Sequence, residues 1–314
     1  MSEPVVECVP NFSEGKDVRR VEAIVAAMRV PGVRLLDWSM DADHNRSVVT
    51  IAGEPSAVVE AAVRGVGKAA ELIDLTRQQG VHPRIGAADV VPFVPVSGIK
   101  LEQCALLARQ AGLEIWRRYS VPVFFYEAAA ARPDRANLED VRRGQFEGLK
   151  DAVRKDAALR PDLGGPGLHP TAGACAVGAR KFLVAYNIYF DSADVATVRA
   201  IAREIRAASG GLKGVKALGL LAHGRAQLSM NITDFLATPI SQVYRSVCNL
   251  GRRHNAVPVE GEVIGLLPEA ACERESDWMR QLTGFDPETK ILERRLGAPL
   301  AWPGEEPGRA LPIG

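Results

Sequence analysis

The sequence predicts an α+β fold made of two similar halves. Hydrophobic periodicity gives the element order βαββαβ in the first half, and the same order recurs in the second half. The length of 314 residues also corresponds to two domains of about 150 residues each. Together these observations predict two ferredoxin-like subdomains, each an antiparallel sheet with helices on one face. The predicted boundaries are 1–178 for the N-terminal subdomain, 179–300 for the C-terminal subdomain and 301–314 for a loosely ordered tail.

The first βαββαβ unit begins with an apolar run at 5–9, which predicts a strand. Residues 17–29 predict a helix, because apolar residues recur there at helical spacing until Pro31-Gly32 ends the pattern. The following elements are a strand at 33–38, a strand at 46–52, a helix from 53 to about 75, a strand at 90–96, a helix at 101–119, a strand at 121–126 and a charged helix near 137–153.

The second half repeats this order of elements. They are a strand at 181–190, a helix at 192–208, strands at 215–221 and 226–233, a helix at 239–255 and a strand at 262–267. The duplication is inferred from element order, because no obvious residue-by-residue repeat connects the two halves.

Charge and cysteine content exclude several classes of protein. Basic residues number 39 and acidic residues 38, a net charge of +1, whereas binding to nucleic acid or to an acidic membrane surface needs a basic field. Glu3 and Glu7 stand where a secretory peptide would carry basic residues. The five cysteines never form a CxxC pair, which disfavours a disulfide framework and a zinc site. We therefore expect a cytoplasmic protein with no metal, no nucleic-acid partner and no membrane partner.

The most unusual stretch is the connection between the halves, residues 161–174, which is rich in glycine and proline. Glycine lets backbone N–H groups approach a ligand because no Cβ stands in the way. Flexible linkers favour polar residues, whereas this segment interleaves Pro, His and Leu. The sequence leaves two interpretations open here, a linker and a ligand-binding loop.

Nucleotide and hydrolase motifs do not account for the sequence. No GxGxxG follows a strand, and no GxSxG or HExxH occurs. The run Gly65-Val66-Gly67-Lys68 is followed by Ala69 inside a helical pattern, so its glycines indicate close packing of a helix rather than a phosphate-binding loop.

His82 is the sharpest single candidate for chemistry. It lies between a helix and a strand, in the run Gly80-Val81-His82-Pro83-Arg84. A neutral imidazole is the natural general base near pH 7. The alternative is a loop histidine hydrogen-bonded to a carbonyl. His44 and His169 lie in other candidate loops and share this ambiguity.

Five polar residues are candidates for binding a substrate. Arg46 and Arg84 could hold a carboxylate through two parallel hydrogen bonds. The other three are amides, of which Asn187 stands in a strand that is otherwise apolar, and Asn11 and Asn45 lie beside turns. The alternatives are a surface strand end for Asn45 and Arg46 and a structural hydrogen bond for Asn187.

Three longer segments resemble one family closely. They are residues 6–15 (VECVPNFSEG), residues 82–96 (HPRIGAADVVPFVPV) and residues 178–188 (GARKFLVAYNI). In this order they are similar to the glutamate formiminotransferases, also called glutamate formimidoyltransferases. The resemblance extends over roughly residues 3 to 300 and is far more specific than any short motif.

The resemblance implies a transferase that moves the formimino group of N-formimino-L-glutamate to nitrogen-5 of tetrahydrofolate, in histidine degradation and one-carbon metabolism. Tetrahydrofolate would be a co-substrate, no metal would be needed, and the protein would be a homodimer without a cyclodeaminase domain. The catalytic histidine of the family corresponds to His82. The folate-binding loop corresponds to Leu163, Gly164, Gly165, Pro166, Gly167, Leu168, His169, Pro170, Thr171 and Ala172.

Two other functions remain open at this stage. A homologue could bind folate as a carrier or regulator without transferring the group. Ferredoxin-like sheets also occur in RNA-binding domains, but the strand at 181–188 lacks their glycine–aromatic pattern and the net charge is only +1. The RNA-binding interpretation is therefore the weaker of the two.

Overall fold

A computed structural model describes residues 3–273 and 276–304 of the chain. The described residues form two compact units. Unit 1 contains the chain up to Arg180 and again from Pro299, and unit 2 contains Lys181–Ala298. The sequence places the two boundaries after residues 178 and 300, and the structure places them after residues 180 and 298.

Unit 1 contains seven strands and five α-helices. The strands are β1 (Val5–Cys8), β2 (Asn11–Phe12), β3 (Val33–Asp41), β4 (Arg46–Gly53), β5 (Ala88–Ser97), β6 (Val123–Glu127) and β7 (Cys175–Ala179). The helices are α1 (Val18–Ala27), α2 (Pro55–Leu72), α3 (Leu101–Tyr119), α4 (Leu138–Val141) and α5 (Gln145–Lys155).

The sheet of unit 1 contains the predicted βαββαβ unit and extends beyond it. In the first part, β3 pairs with β4, β4 with β1 and β2, and these with β5, all antiparallel. The sheet then continues through β7 and β6, which are parallel to β5. The prediction of a purely antiparallel sheet is therefore wrong for this unit. The sequence predicts neither β2, which has only two residues, nor β7, whose sequence Cys-Ala-Val-Gly-Ala is poor in large β-formers.

Helices cover both faces of this sheet, whereas the sequence predicts them on one. The main core lies against α1, α2 and α3 and takes alternate residues of the strands, such as Val91 and Phe93 of β5. A second cluster on the opposite face joins Phe124 and Tyr126 of β6 to Leu149 of α5. Helices lie on both faces because β5, β6 and β7 carry consecutive apolar residues, so both of their faces must be buried.

Unit 2 has the predicted βαββαβ organisation. Its strands are β8 (Val184–Phe190), β9 (Val215–Ala222), β10 (Arg225–Ile232) and β11 (Pro258–Ile264). Its helices are α6 (Val195–Ile205), α7 (Ile240–Arg253), α8 (Asp277–Arg280), α9 (Pro287–Lys290) and α10 (Leu292–Gly297). The strand order is β11-β8-β10-β9, and every pair is antiparallel. Apolar residues of α6 and α7, including Ile201 and Val247, pack with Tyr186 and Ile188 of β8.

The start of the predicted tail belongs to the core of unit 1. The backbone N–H of Leu300 donates to the carbonyl of Leu35 at 2.7 Å, and Trp302 is only 8% exposed among the core residues. The prediction of loose order is therefore wrong for residues 301–304, because a tryptophan buries a large apolar area. The rest of that prediction, residues 305–314, lies outside the described residues.

In the part of the chain that the structure describes, none of the helices combines the length and apolar composition needed to cross a bilayer.

Candidate active site

His82 lies in the segment between α2 and β5 and is partly buried. Its Nδ1 is 2.8 Å from the carbonyl oxygen of Pro83. A carbonyl can only accept a hydrogen bond, so Nδ1 carries the proton of the neutral ring and Nε2 carries the lone pair. The hydrogen bond to a carbonyl is therefore present, and the general-base interpretation stays a prediction for which Nε2 carries the required lone pair.

The surroundings of His82 favour its neutral form. Burial, followed by the positive charges of Arg46 and Arg142, holds the pKa of His82 well below the ordinary value of 6.5. A lowered pKa leaves the imidazole unprotonated at pH 7. The ring is therefore in the state that a general base requires.

The charges beside His82 are organised by Asp89, the second residue of β5, which is completely buried. Its Oδ2 accepts a hydrogen bond from Arg46 Nη1 at 2.8 Å and another from Arg142 Nη2. Its Oδ1 accepts from the backbone N–H of Ile85 at 2.8 Å. Burial raises the pKa of Asp89, but Arg142 and Arg46 outweigh it and lower the pKa to about 2.

A β-bulge directs Asp89 toward this cluster. Between β2 and β5, Asn11 pairs with Val90 and Phe12 pairs with Ala88, so Asp89 is an extra residue on β5. A bulge bends the strand and re-aims a side chain, and bulges are frequent beside active sites. The carboxylate is therefore placed by the register of the sheet.

Asn11 holds the other side of Arg46. Its Oδ1 accepts from Arg46 Nε at 3.1 Å and from Nη2 at 2.8 Å, and its Nδ2 donates to the carbonyl of Val9 at 2.8 Å. The structure therefore brings Asn11 and Arg46 together, as two of the candidate binding residues, with Arg46 fixed between an amide and a carboxylate.

Arg84, the second predicted cation, has partners of its own. Its Nη1 and Nη2 donate to the two carboxylate oxygens of Glu147 at 3.0 and 2.7 Å, and its Nε donates to Gln78 Oε1 at 2.6 Å. The side chain is buried and its charge is balanced by Glu147. Arg84 therefore ties the segment that carries His82 to α5, and its charge is not free to attract a substrate.

Asn45 also acts on this segment through its hydrogen bonds. Its Oδ1 accepts from the backbone N–H of Gly15 at 2.9 Å, and its Nδ2 donates to the carbonyl of Gln79 at 2.7 Å. Its own carbonyl accepts from Gln78 Nε2 at 2.9 Å. Asn45 thus joins the turn after β2 to the loop that precedes His82.

His44 lies close to His82, with 6.4 Å between the ring centroids. Its Nδ1 is 2.9 Å from Asp41 Oδ1, the oxygen that also accepts from the His44 backbone N–H at 2.8 Å. This contact stabilises the turn between β3 and β4. His44 is therefore a loop histidine with a structural contact.

The predicted folate loop, residues 163–172, is anchored at both ends. The carbonyl of Leu163 accepts from the backbone N–H of Val123 on β6 at 2.9 Å. At the other end, the carbonyls of Thr171 and Ala172 accept from Leu75 and Ala87, both at 2.9 Å. The end of the loop is therefore bonded to the segment that carries His82.

His169 shapes the second half of this loop. Its Nδ1 accepts from the backbone N–H of Ala172 at 2.9 Å and from that of Thr171 at 3.3 Å. Burial lowers the pKa of His169, which favours this accepting, neutral form. Its ring also lines an open cavity of about 460 Å³ together with Lys68 of α2 and Tyr119 of α3.

Asn187, the fifth candidate binding residue, lies in unit 2. It stands on β8 between Ser229 of β10 and Glu262 of β11, and its Nδ2 is 3.3 Å from Glu262 Oε2. The hydroxyl of Tyr189 is 3.4 Å from the same oxygen. Asn187 therefore has the structural hydrogen bond that the sequence leaves open.

In the cluster of Arg46, Asp89 and Arg142 beside His82, Asp89 and Arg142 are not among the residues that the sequence indicates as candidates. Asp89 could have been noticed as an acid within an otherwise apolar strand. Nothing in the sequence marks Arg142, because it follows α4 in a strongly charged stretch. It is 53 residues from Asp89 in the chain, and only the fold brings the two side chains together.

Among residues 3–273 and 276–304, no group of three or more His, Cys, Asp or Glu side chains is arranged to hold a metal ion.

Comparison with known proteins gives a consistent family. Residues 5–180 match the N-terminal subdomain of the formiminotransferase domain, and residues 185–290 match the formiminotransferase domain. The chain is 44% identical to the glutamate formimidoyltransferase of Thermoplasma acidophilum, covering 93% of this chain and 97% of that protein. It is 41% identical to the glutamate formimidoyltransferase of Streptococcus pyogenes serotype M1, covering 93% and 98%.

A longer relative matches over part of its length. The formimidoyltransferase-cyclodeaminase of Gallus gallus is 40% identical, with 85% of this chain matching 51% of that protein. These matches cover both subdomains, in the order in which they occur in this chain. They all point to the same family. The chain belongs to the formiminotransferase family.

Proposed function

We propose that this protein transfers the formimino group of N-formimino-L-glutamate to nitrogen-5 of tetrahydrofolate. The observation that carries the proposal is His82, neutral and with Nε2 unprotonated, beside the positively charged pair Arg46 and Arg142. This arrangement suits a reaction that needs a base and an anionic substrate. The identity of 41–44% to proteins named glutamate formimidoyltransferase supports the same activity.

The chemistry requires one proton to move while two bonds to carbon change. Nitrogen-5 of tetrahydrofolate attacks the formimino carbon, and His82 Nε2 takes the proton from the attacking nitrogen. The tetrahedral centre then breaks its bond to the glutamate nitrogen, which receives a proton from the same imidazole. The products are 5-formimino-tetrahydrofolate and glutamate, and His82 returns to its neutral state.

The co-substrate site of this proposal is the loop at 163–172. A Cβ on Gly165 or Gly167 would have its nearest neighbour at 3.8 or 3.6 Å, so a ligand has room to approach the backbone there. Its anchored ends hold the loop beside Ala87, five residues after His82. Folate bound to this loop would stand close to the base that acts on nitrogen-5.

Cellular role and assembly form a further part of the proposal. The reaction would serve histidine degradation and one-carbon metabolism in the cytoplasm, in a homodimer whose single activity is the transferase. The net charge of +1 supports small-molecule ligands rather than nucleic acid as partners. Light scattering after size-exclusion chromatography tests the dimer, and a mass equal to that of one chain would contradict it.

The test of the function uses purified protein, tetrahydrofolate and N-formimino-L-glutamate. Acid converts 5-formimino-tetrahydrofolate into methenyl-tetrahydrofolate, which absorbs in the near ultraviolet. The proposal predicts enzyme-dependent absorbance that requires both substrates. Tight folate binding without product would instead support the alternative of a carrier or regulator.

A further inference from the structure

The cluster of Arg46, Asp89 and Arg142 carries a net charge of +1. Two guanidinium groups meet one carboxylate, which is completely buried. The neighbouring cation Arg84 is balanced by Glu147. The excess charge therefore belongs to Arg46 and Arg142, and it stands beside a neutral His82.

The hydrogen bonding of Arg142 is also incomplete. Its Nη2 donates to Asp89, while its Nε is buried without a hydrogen-bond partner. A buried donor without a partner costs free energy, and a bound group that accepts a hydrogen bond from it removes this cost. The side chains of Arg46 and Arg142 remain 10% and 14% exposed, which leaves the pair reachable from solvent.

We propose that Arg142, together with Arg46, binds the α-carboxylate of the formimino donor, and that Asp89 is the positioning residue that aims both guanidinium groups. This inference rests on the proposed function and names the site for one substrate carboxylate. Two guanidinium groups around one carboxylate allow several charge-assisted hydrogen bonds, which are about twice as strong as neutral ones.

The choice of the α-carboxylate follows from the structure of the donor. The α-carboxylate stands on the carbon that bears the reacting nitrogen, whereas the side-chain carboxylate is two methylene groups further away. Asp89, which holds Arg46 and Arg142, also accepts from the backbone N–H of Ile85, three residues after His82, the proposed base at the reacting atoms. The carboxylate closest to the reaction is therefore the one that these cations meet.

Binding of the product glutamate tests this assignment without relying on turnover. Calorimetry would compare L-glutamate with isoglutamine, in which the α-carboxylate is an amide, and with L-glutamine, in which the side-chain carboxylate is an amide. Wild-type protein with bound tetrahydrofolate should favour glutamate over isoglutamine by about 10- to 100-fold. Arg142→Gln should remove most of this preference and leave the ratio of glutamate to glutamine unchanged.

Two further variants separate binding from structure. Arg143→Gln is the matched control, since Arg143 is the next residue, is largely exposed and pairs with Asp140. It should retain the wild-type preference. Arg142→Lys retains the charge and should recover part of the preference lost in Arg142→Gln, even if the glutamine variant is less stable.

The proposal is overturned if wild-type protein binds glutamate and isoglutamine equally, or binds neither. It is also overturned if Arg142→Gln retains the wild-type preference for the α-carboxylate, or if Arg143→Gln loses it to the same degree. The proposed function fails by a different result. In that case the wild-type protein shows this preference for the α-carboxylate but makes no 5-formimino-tetrahydrofolate.

Discussion

At the scale of single residues, the chemistry of the site depends on which cations have their charge balanced. Arg84 is two residues from His82 in the chain, yet its charge is paired with that of Glu147. Arg142 is remote in the chain, and its positive charge lowers the pKa of His82. Arg46 and Arg84 are both candidates from the sequence, but the balance of their charges depends on partners that only the fold brings together.

Activity should persist into mildly acidic solution. Only neutral His82 accepts a proton, and its pKa is lowered, so the acid limb of kcat/KM should have its midpoint below pH 6.5. Arg142→Gln removes a positive charge that lowers this pKa, so its midpoint should move to higher pH. Initial rates between pH 5 and 8 at about constant ionic strength measure both midpoints. A wild-type midpoint above 6.5, or an unchanged midpoint in the variant, would contradict this assignment.

Removing the central carboxylate should weaken the fold. Asp89→Asn leaves Arg46 and Arg142 buried with unbalanced charge, and breaking a buried pair in this way costs about 3–5 kcal/mol. Urea denaturation measures the free energy of unfolding. Asp140→Asn, which alters an exposed pair with Arg143, is the matched control and should cost about 0–1 kcal/mol. Equal losses in the two variants would show that the buried cluster is not structural.

At the scale of elements, the segment that carries His82 is held by a close crossing of two backbones. Gly86 and Gly173 form an antiparallel bridge, and a Cβ on Gly86 would lie 2.0 Å from the carbonyl oxygen of Ala174. Gly173 also has a positive φ of 69°. The glycine-rich run therefore serves structure at this end, where it fastens the predicted folate loop to the site.

Gly86→Ala should destabilise the protein, because the new Cβ meets backbone atoms that cannot move aside independently. The expected loss is about 2–3 kcal/mol. Gly148→Ala on α5 is the control, because a Cβ there has no neighbour within 4 Å and alanine favours a helix. Melting curves should show opposite shifts for the two variants. A Gly86→Ala protein as stable as wild type would contradict the explanation that this close crossing holds the segment in place.

The elements that could be predicted from sequence are those with a strong period. The βαββαβ unit of the second half is confirmed, since its strands and helices pack one apolar face. In unit 1 the sequence does not predict β7, because four of its five residues are Cys, Ala or Gly. It also does not predict a helix on the second face of the sheet, where α5 packs its apolar residues. The glycines of α2 behave as predicted: a Cβ on Gly67 would lie 2.2 Å from the ring of Tyr119.

At the scale of the whole molecule, stability rests on a packed core in each unit, and none of the five cysteines, all of them described residues, is in a disulfide. Cys8, Cys104 and Cys175 are buried, whereas Cys248 and Cys272 are partly exposed. Burial raises the pKa of Cys8 and Cys175 and raises that of Cys104 to about 11. The three buried thiols are therefore both inaccessible and un-ionised at neutral pH.

Thiol titration should separate these two groups. Native protein should react at no more than two thiols with a chromogenic disulfide reagent, because thiolate formation and access both control the reaction. Protein in denaturant should react at all five. Reaction of three or more thiols in the native state would contradict the described packing of the cores.

The function of the whole molecule could be predicted from its sequence because three long segments resemble one family, and the family is confirmed by matches in both subdomains. The protonation state of His82 could not be predicted, since its tautomer depends on the carbonyl of Pro83 and its charge state depends on burial and on Arg46 and Arg142. Sequence identifies the residue, and the fold determines its protonation.

The most direct test of the account is the rate of formimino transfer in His82→Ala, measured in a single turnover by acid conversion to methenyl-tetrahydrofolate. The hydrogen bond of the His82 ring within residues 3–273 and 276–304 goes to the carbonyl of its own neighbour Pro83, so the variant should fold with a nearly unchanged melting temperature. Its rate should fall by about 10²–10⁴-fold, the range typical for loss of a general base. His254→Ala, at the end of α7 beside Glu204, should retain the wild-type rate. A folded His82→Ala protein that transfers the group at a near-normal rate would contradict the account.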